Sequence, residues 1–139
     1  MSGKKAFLDT NLFIYLIEEN ELHLHKVHNL LEFLEKNGYE IITSTLTLGE
    51  ILTKPYKENR LDLVETYKDF FSQMELVELN SEIASLFAKV RADYRIKTPD
   101  AVQLASAVYA KAKLFVTNDD GLSRFESDGC RVLLLSEFL

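Results

Sequence analysis

Four acidic residues in this sequence stand where a parallel α/β sheet would bring them together. Asp9 ends the run KAFL, and Asp119 follows LFVTN after a second apolar run. Glu50 lies in STLTLGEIL, shortly after a third run, and Asp100 follows Pro99 at the start of a helical segment. Clustered carboxylates repel one another and are tolerated mainly where a cation binds them. The four acids are therefore candidates for a divalent-metal site.

Carboxylates of this kind suit a hydrolytic reaction at phosphate. Mg²⁺ prefers oxygen ligands and keeps several waters, so a few carboxylates and substrate oxygens complete its coordination shell. A bound cation activates water, shields the nucleophile from an anionic phosphate and stabilises the leaving oxygen. Such a reaction requires no catalytic histidine.

Apolar runs alternate with segments of helical length, and this order predicts a single α/β domain over residues 1–139. We expect a three-layer α/β/α sandwich around a central, mainly parallel five-stranded sheet. The sixth helix is expected to start with Thr98 at the cap and Pro99 as its first helical residue. The predicted strands cover residues 5–8, 40–43, 75–79, 114–117 and 131–135. Six helices are predicted: the first follows Asn11, the second ends near Asn37 and Gly38, the third begins near Thr45, the fourth covers residues 61–71, the fifth follows Asn80 and Ser81, and the sixth begins at Thr98.

These elements explain how the four acids would converge. Asp9 and Asp119 each follow a strand, and sites in parallel sheets form beyond the carboxyl ends of the strands. A crossover helix runs antiparallel to its strands, so the start of the helix that carries Asp100 lies at the same edge. Glu50 lies about one turn into the helix after the second strand, with Thr47 before it on the same face.

Each acid also has a purely structural explanation. Asp9 would cap the first helix, Asp100 would favour the positive end of a helix macrodipole, and Asp119 would belong to the turn NDDG. Glu50 would form a capping box with Thr47 if the helix started there. Four unrelated caps, however, need not lie at one sheet edge.

The start of the third helix bears on the explanation for Glu50. Ser44 and Thr45 lie nearer the second strand than Thr47 does, and they are better placed to begin the helix. Glu50 would then lie past the first turn, where it has no capping role. This placement favours a functional explanation for Glu50.

Composition limits the kinds of partner. The 16 basic and 22 acidic residues give a formal net charge of -6, which argues against a protein that coats nucleic acid by bulk attraction. Setting the four acids aside changes that charge from -6 to -2. A phosphate partner would be held locally, by a basic rim drawn from Lys54, Lys57, Arg60, Arg91, Arg95, Lys97 and Arg124.

The cysteine count and the hydropathy pattern indicate the cellular setting. Cys130 is the single cysteine, so the chain forms no internal disulfide. No secretory signal follows Met1, and no apolar run is long enough to span a membrane. We expect a cytoplasmic protein with no membrane partner.

Histidines offer an alternative chemistry that the pattern disfavours. His23, His25 and His28 lie together at the start of a predicted surface helix, without a cysteine or a second histidine cluster nearby. Solvated and capping roles therefore suit them better than metal ligation. Their clustering also disfavours a histidine-based ribonuclease, in which an acid and a base must face each other across the substrate.

Several segments resemble the PIN-domain ribonucleases, in particular the small VapC-type toxins of toxin–antitoxin pairs. They are FLDTNLFIYLIE, TSTLTLGEIL, TPDAVQLASAVYAKAKLFVTND and LLLSEF, and together they span essentially the whole chain. The resemblance implies that Asp9, Glu50, Asp100 and Asp119 are the catalytic metal-binding acids. It also implies Mg²⁺ or Mn²⁺ as cofactor and an RNA phosphodiester as substrate.

The resemblance extends to supporting positions and to partners. Asn11 and Thr117 match polar positions that flank the acids, and Asp120 is a secondary candidate beside Asp119. A cognate antitoxin would occupy the cleft with a basic side chain and neutralise the acids. A homodimer is expected from the family and from the apolar and aromatic residues of segment 56–71.

Two other functions compete with the ribonuclease. A PIN-like module that binds RNA or protein without cleavage would be expected to lose one or more acids, whereas all four are present. A phosphoryl-transfer or receiver-like domain would use Asp9 as nucleophile. The segment DTN lacks the second acid of a DxD signature, and no lysine follows a late strand, so this function is disfavoured.

Overall fold

A computed structural model describes residues 3–138, in which one six-stranded sheet is packed between helices. The strand order is β3-β2-β1-β4-β6-β5, and every neighbouring pair is parallel except β5 with β6. The strands are β1 (Lys4–Leu8), β2 (Tyr39–Ser44), β3 (Glu75–Val77), β4 (Leu114–Thr117), β5 (Glu126–Ser127) and β6 (Cys130–Leu134). The helices are α1 (Thr10–Ile17), α2 (Leu24–Lys36), α3 (Thr45–Lys57), α4 (Leu61–Phe71), α5 (Ser81–Asp93) and α6 (Thr98–Tyr109).

The two faces of the sheet bury separate hydrophobic clusters. Ala6 and Leu8 of β1 pack into a cluster with buried residues of α1, α2, α3 and α4. Phe7 points to the opposite face, where it packs into a cluster with residues of α5 and α6. Because successive side chains of a strand alternate between faces, one apolar strand supplies both cores. The predicted three-layer α/β/α sandwich is confirmed.

The sheet has one strand more than predicted. Ser127 and Cys130 pair across a two-residue turn, and the turn residues Asp128 and Gly129 have φ angles of 49° and 81°. Positive φ at both central positions suits a tight hairpin, and Asp-Gly is a favoured pair there. β5 has only two residues, so it carries too little alternation for a periodicity argument to find it.

The helix ends show why the chain folds at these points. Ser44 caps α3, because its hydroxyl accepts the N–H of Thr47 at 3.2 Å. Gly38 has a φ of 75° just after α2, the conformation that glycine adopts readily past a helix end. Thr98, by contrast, was expected at a cap and is the first helical residue, because the carbonyl of Lys97 accepts the N–H of Ala101 at 2.9 Å.

The connectivity places the carboxyl ends of β1 and β4 next to each other. From β1 the chain moves outward to β2 and β3, and then crosses to β4 on the other side of β1. Strand order therefore reverses between β1 and β4, which is where open α/β sheets form their clefts. Within the part of the chain that the structure describes, no helix is long and apolar enough to cross a membrane.

Candidate active site

Asp9 lies between the carboxyl ends of β1 and β4. Its Oδ1 accepts the N–H of Thr10 at 2.8 Å, and its Oδ2 accepts the hydroxyl of Thr117 at 2.7 Å. The N–H of Asp9 donates to the carbonyl of Val116 at 2.9 Å. Asp9 therefore does cap α1, as the structural explanation required. Its bond to Thr117 ties it to the neighbouring strand as well, and a cap has no need of that bond.

Glu50 reaches toward the same edge from α3. Its Oε1 accepts the hydroxyl of Thr10 at 2.7 Å, which joins α3 to the first residue of α1. Since Ser44 caps α3, Glu50 has no part in starting that helix. Thr10 is a residue that the sequence interpretation passed over, although it stands between Asp9 and Asn11 in DTN.

Asp119 follows β4 and caps a short 3₁₀ helix over Asp120–Leu122. Its Oδ1 accepts the N–H of Gly121 at 2.9 Å, and its own N–H donates to Thr117 Oγ1 at 3.1 Å. A Cβ added at Gly121 would lie 3.0 Å from Asp119 Oδ1, so glycine allows this close approach. The turn expected from NDDG is present.

Asp100 stands in the first turn of α6, half-buried at the same edge. Burial raises the pKa of its carboxyl above 3.8, and the charges of Asp9, Asp119 and Glu50 raise that pKa further. The ammonium of Lys97 acts in the opposite direction. The neighbours whose charges raise the pKa of Asp100 are thus the other three sequence-selected acids.

The pKa of Asp9 is raised in the same way. Burial is the main cause, and the charges of Glu50 and Asp119 add to it. Hydrogen bonds from Thr117 and from the N–H of Thr10 favour the ionised form and offset part of the rise. Asp9, Glu50, Asp100 and Asp119, which we call the acidic quartet, therefore share one electrostatic neighbourhood.

The acidic quartet does not meet at a single point. Among residues 3–138, no three aspartate, glutamate, histidine or cysteine side chains come close enough together to hold a metal ion. Asp9, Glu50 and Asp119 instead direct oxygens toward hydrogen-bond donors of the protein. The quartet offers only carboxylate oxygens, which is the donor chemistry that hard divalent cations prefer.

The remaining sequence candidates have different surroundings. Thr117 is buried beside Asp9, whereas Asn11 is exposed in the first turn of α1 and Asp120 is exposed as the first residue of the 3₁₀ helix. Of the proposed basic rim, Lys97 acts electrostatically on Asp100. Arg60 is instead engaged by Asp62, with 3.0 Å between Nη2 and Oδ2.

The roles predicted for the three histidines are confirmed in part. His25 and His28 are exposed on α2. His23 occupies the cap position of that helix but makes no side-chain cap hydrogen bond, so a capping role for its ring is wrong. The ring instead stacks on Tyr15, with 4.3 Å between centroids, and the hydroxyl of Tyr15 accepts from Asn118 Nδ2 at 3.0 Å.

Comparisons with known proteins agree with this architecture. The family model of the PIN domain matches residues 6–127. Among solved structures, VapBC2 from Rickettsia felis, bound to a DNA fragment from its promoter, has a TM-score of 0.74 and 23% identity, with 94% of this chain and 98% of that chain covered. A toxin–antitoxin complex from Klebsiella pneumoniae has a TM-score of 0.68 and 20% identity, with 90% and 94% covered.

FitAcB from Neisseria gonorrhoeae has a TM-score of 0.60 and 21% identity, with 84% of this chain and 88% of that chain covered. Comparison with curated proteins gives no match. At these identities the structural likeness concerns the fold. The family match, however, takes in both strand ends and both helices that carry the acidic quartet, and the chain belongs to the PIN domain family.

Proposed function

We propose that this chain is a metal-dependent endoribonuclease and the VapC-type toxin of a toxin–antitoxin pair. One observation supports the proposal most directly: the members of the acidic quartet act electrostatically on one another at the sheet edge where the strand order reverses between β1 and β4. Mutually repelling carboxylates at such a cleft are costly unless a cation or a basic partner compensates them. Both compensations are parts of the proposal.

Asp9, Glu50, Asp100 and Asp119 would hold Mg²⁺ or Mn²⁺, since their oxygens match the donor preference of these ions. When bound, the cation would supply an activated water and charge stabilisation at the phosphodiester. The raised pKa values of Asp9 and Asp100 reflect a cost of ionisation that such a cation would offset. Asp119 is preferred to Asp120 because its charge acts on both Asp9 and Asp100.

Neighbouring residues would orient these acids. Thr117 and the N–H of Thr10 hold the two oxygens of Asp9, which fixes the plane of that carboxylate. The hydroxyl of Thr10 also holds Glu50, so one residue aligns two members of the acidic quartet. Lys97, next to Asp100, is suited to contact an RNA phosphate at the rim of the cleft.

The proposed partners follow from the family and from the neighbours. The similar structure from Klebsiella pneumoniae is a toxin–antitoxin complex, and VapBC-5 from Mycobacterium tuberculosis, another similar structure, is a member of the VapBC family of toxin–antitoxin systems. We infer a cognate antitoxin for this chain, with a basic side chain that enters the cleft and neutralises the acids. The substrate is RNA, the expected setting remains the cytoplasm, and a homodimer is the expected assembly.

Cleavage of a structured RNA by the purified chain tests the function. Wild type should cleave in millimolar Mg²⁺ or Mn²⁺, chelator should stop the reaction, and Asp9→Asn should remove nearly all activity. Either metal should also raise the melting temperature, because a ligand that binds only the folded state stabilises it. Asp69→Asn is the matched control, since Asp69 is an exposed acid of α4.

Two results would contradict the proposal. Cleavage retained by Asp9→Asn would exclude the metal mechanism, and an unchanged melting temperature in both metals would exclude the site. RNA that is bound by wild type but never cut would favour the non-catalytic PIN-like module instead.

A further inference from the structure

Behind the acidic quartet lies a buried polar network that none of the known features of the site explains. The buried polar side chains of the described residues include Thr43, Ser44, Thr47 and Gln103, each at most 2% exposed. Buried polar groups are costly unless they are hydrogen-bonded, and the cost is highest where the surroundings are apolar. The neighbours of Gln103 along α6 are buried apolar residues. Burial of its amide there must therefore be compensated by hydrogen bonds to other elements.

The distances define the network. Gln103 Nε2 donates to Thr47 Oγ1 at 2.7 Å, and Gln103 Oε1 accepts the hydroxyl of Ser44 at 2.5 Å. The hydroxyl oxygens of Thr43 and Thr47 are 2.8 Å apart. Thr43 Oγ1 donates in turn to the carbonyl of Leu8 at 2.9 Å. The network thus connects α6, α3, β2 and β1.

Because each hydroxyl has a single proton, the donor and the acceptor of every hydrogen bond in the network can be assigned. Thr43 uses its single hydroxyl proton on the carbonyl of Leu8, so the proton between the two threonines belongs to Thr47. Thr47 can donate it because its oxygen accepts from Gln103. With the amide of Gln103 reversed, the hydroxyl proton of Ser44 would face a second donor and have no acceptor. One arrangement therefore satisfies every member.

Three groups in this network, which we call its anchors, lie close in sequence to an acid: the side chains of Gln103 and Thr47 and the carbonyl of Leu8. Gln103 is one helical turn after Asp100 on α6. Thr47 is one turn before Glu50 on α3. The carbonyl of Leu8 immediately precedes Asp9 at the end of β1. Residues three apart share a helix face, so a fixed anchor also fixes the direction in which its acid emerges.

We propose that Gln103 is a positioning residue, which sets the spacing of Asp9, Glu50 and Asp100 by joining α6 to α3 and β1 through Thr47 and Thr43. This inference rests on the proposed function, because it concerns the same acids. Gln103 itself is buried behind the acids and serves as a brace. Cation affinity depends on ligand spacing, so a break in the network loosens the site while the fold persists.

Gln103→Met tests the proposal, because methionine has a similar length and no hydrogen-bonding amide. Mn²⁺ alone is the probe, and its binding is followed by electron paramagnetic resonance of the free ion. We expect the dissociation constant for Mn²⁺ to rise about 10-fold, the scale seen when outer-shell partners of a metal site are removed. RNA cleavage at low Mn²⁺ should fall in parallel and recover in part at saturating Mn²⁺.

Ser106→Ala is the matched control. Ser106 is buried on the same helix, but its hydroxyl donates to the carbonyl of Val102 within that helix at 2.7 Å. Its loss should lower the melting temperature without changing Mn²⁺ binding by more than about twofold. A purely structural role for Gln103 predicts that both variants behave alike, and that result would overturn the proposal.

A second variant keeps the test decisive if Gln103→Met melts below the assay temperature. Thr47→Val conserves volume and breaks the same link from α3, so it should weaken Mn²⁺ binding to a similar extent. Where Gln103→Met is folded at the assay temperature, the double variant should bind Mn²⁺ no more weakly than either single variant, because the second substitution removes a link that is already broken. Additive losses would show that the two residues act separately and would overturn the proposal.

Failure of the proposed function has a different signature. If wild type and Asp9→Asn bind Mn²⁺ equally and neither cleaves RNA, the metal site and the role of Gln103 both fail. If wild type binds Mn²⁺ and cleaves, Asp9→Asn does neither and Gln103→Met matches wild type, the positioning role alone fails.

Discussion

The hydroxyl of Thr117 donates to Asp9 Oδ2 at 2.7 Å and accepts the N–H of Asp119 at 3.1 Å. A single buried hydroxyl at the end of β4 thereby joins two acids that are far apart in sequence. Thr117 thus connects Asp9 directly to Asp119, whereas the network of Gln103 connects the elements that carry Asp9, Glu50 and Asp100.

Thr117→Val should impair catalysis more than it impairs folding. Valine has nearly the same shape but leaves Oδ2 of Asp9 without its donor, and that hydrogen bond favours the ionised carboxylate. We expect cleavage in Mg²⁺ to fall about 10- to 100-fold, as for other lost partners of metal-binding acids. Steady-state cleavage rates and thermal melts of the same samples provide the comparison.

Thr117→Ser is the control for that experiment, since serine keeps the hydroxyl and removes only a methyl group. Serine should retain most of the cleavage activity. Equal losses in the valine and serine variants would attribute the effect to packing and remove the role assigned to the hydroxyl.

Cys130 should be inert in the folded protein. The thiol is fully buried at the start of β6, and burial raises its pKa from 9.0 to about 11. At pH 8 the folded thiolate fraction is therefore about one in a thousand, and only the thiolate reacts. Modification by a soluble thiol reagent should be slow in buffer and rapid in denaturant. Rapid modification of the folded chain would contradict the burial of Cys130.

The raised pKa of Cys130 also predicts how the stability of the fold depends on pH above neutrality. Because the folded pKa lies above the unfolded value of 9.0, the unfolded chain loses its thiol proton first. The free energy of unfolding should therefore decrease as pH rises from 9.0 toward about 11, and the contribution is absent from Cys130→Ala. Denaturant melts of both proteins across that range measure the difference. Parallel curves for the two proteins would exclude this contribution.

Self-association should involve the end of α3 and the start of α4. Tyr67 and Phe71 belong to the core, whereas Tyr56 and Leu61 are 50% and 58% exposed. Sedimentation at tens of micromolar should give a dimer for wild type and a weaker dimer for Leu61→Glu. Leu79→Glu is the control, because Leu79 is 59% exposed but follows β3. A wild-type monomer would refute the prediction.

The layered fold could be predicted from local patterns. The strand at residues 114–117 is correct at both ends, because four consecutive buried residues are bounded by polar ones. The order of strands and helices also placed Asp100 at the carboxyl edge, since a crossover helix runs antiparallel to its strands. β5 escaped prediction because two residues carry no periodicity, although Asp128-Gly129 was a signal for its hairpin.

The interior of the site could not be predicted in this way. Gln103 contacts Ser44 and Thr47 across more than fifty positions of sequence, and no local pattern encodes that pairing. A glutamine among the alanines and leucine of α6 was nevertheless a polar residue on a buried face, which is a usable signal. Thr10 was passed over because its neighbours Asp9 and Asn11 matched the family pattern better. The role of the acids as metal ligands stays a prediction.

Asp9→Asn and Asp100→Asn should each remove nearly all RNA cleavage while the fold stays intact. Asparagine keeps the size of aspartate but deletes a charge that the cation would need. Metal-free stability should hold or rise in both variants, because burial and mutual repulsion already disfavour the ionised carboxylates. Cleavage assays in Mg²⁺ and in Mn²⁺, alongside denaturant melts in chelator, measure both effects.

The double variant separates a shared site from two independent roles. If Asp9 and Asp100 act on one cation, the double variant should be scarcely less active than either single variant, because residues that act as a unit give non-additive losses. If Asp9 served only as the cap of α1, the opposite pattern would be expected. Asparagine caps helices well, so Asp9→Asn would then keep its activity, whereas Asp9→Ala would lose about 1 kcal/mol of stability. Multiplying losses in the double variant would likewise show that the two acids do not share a cation.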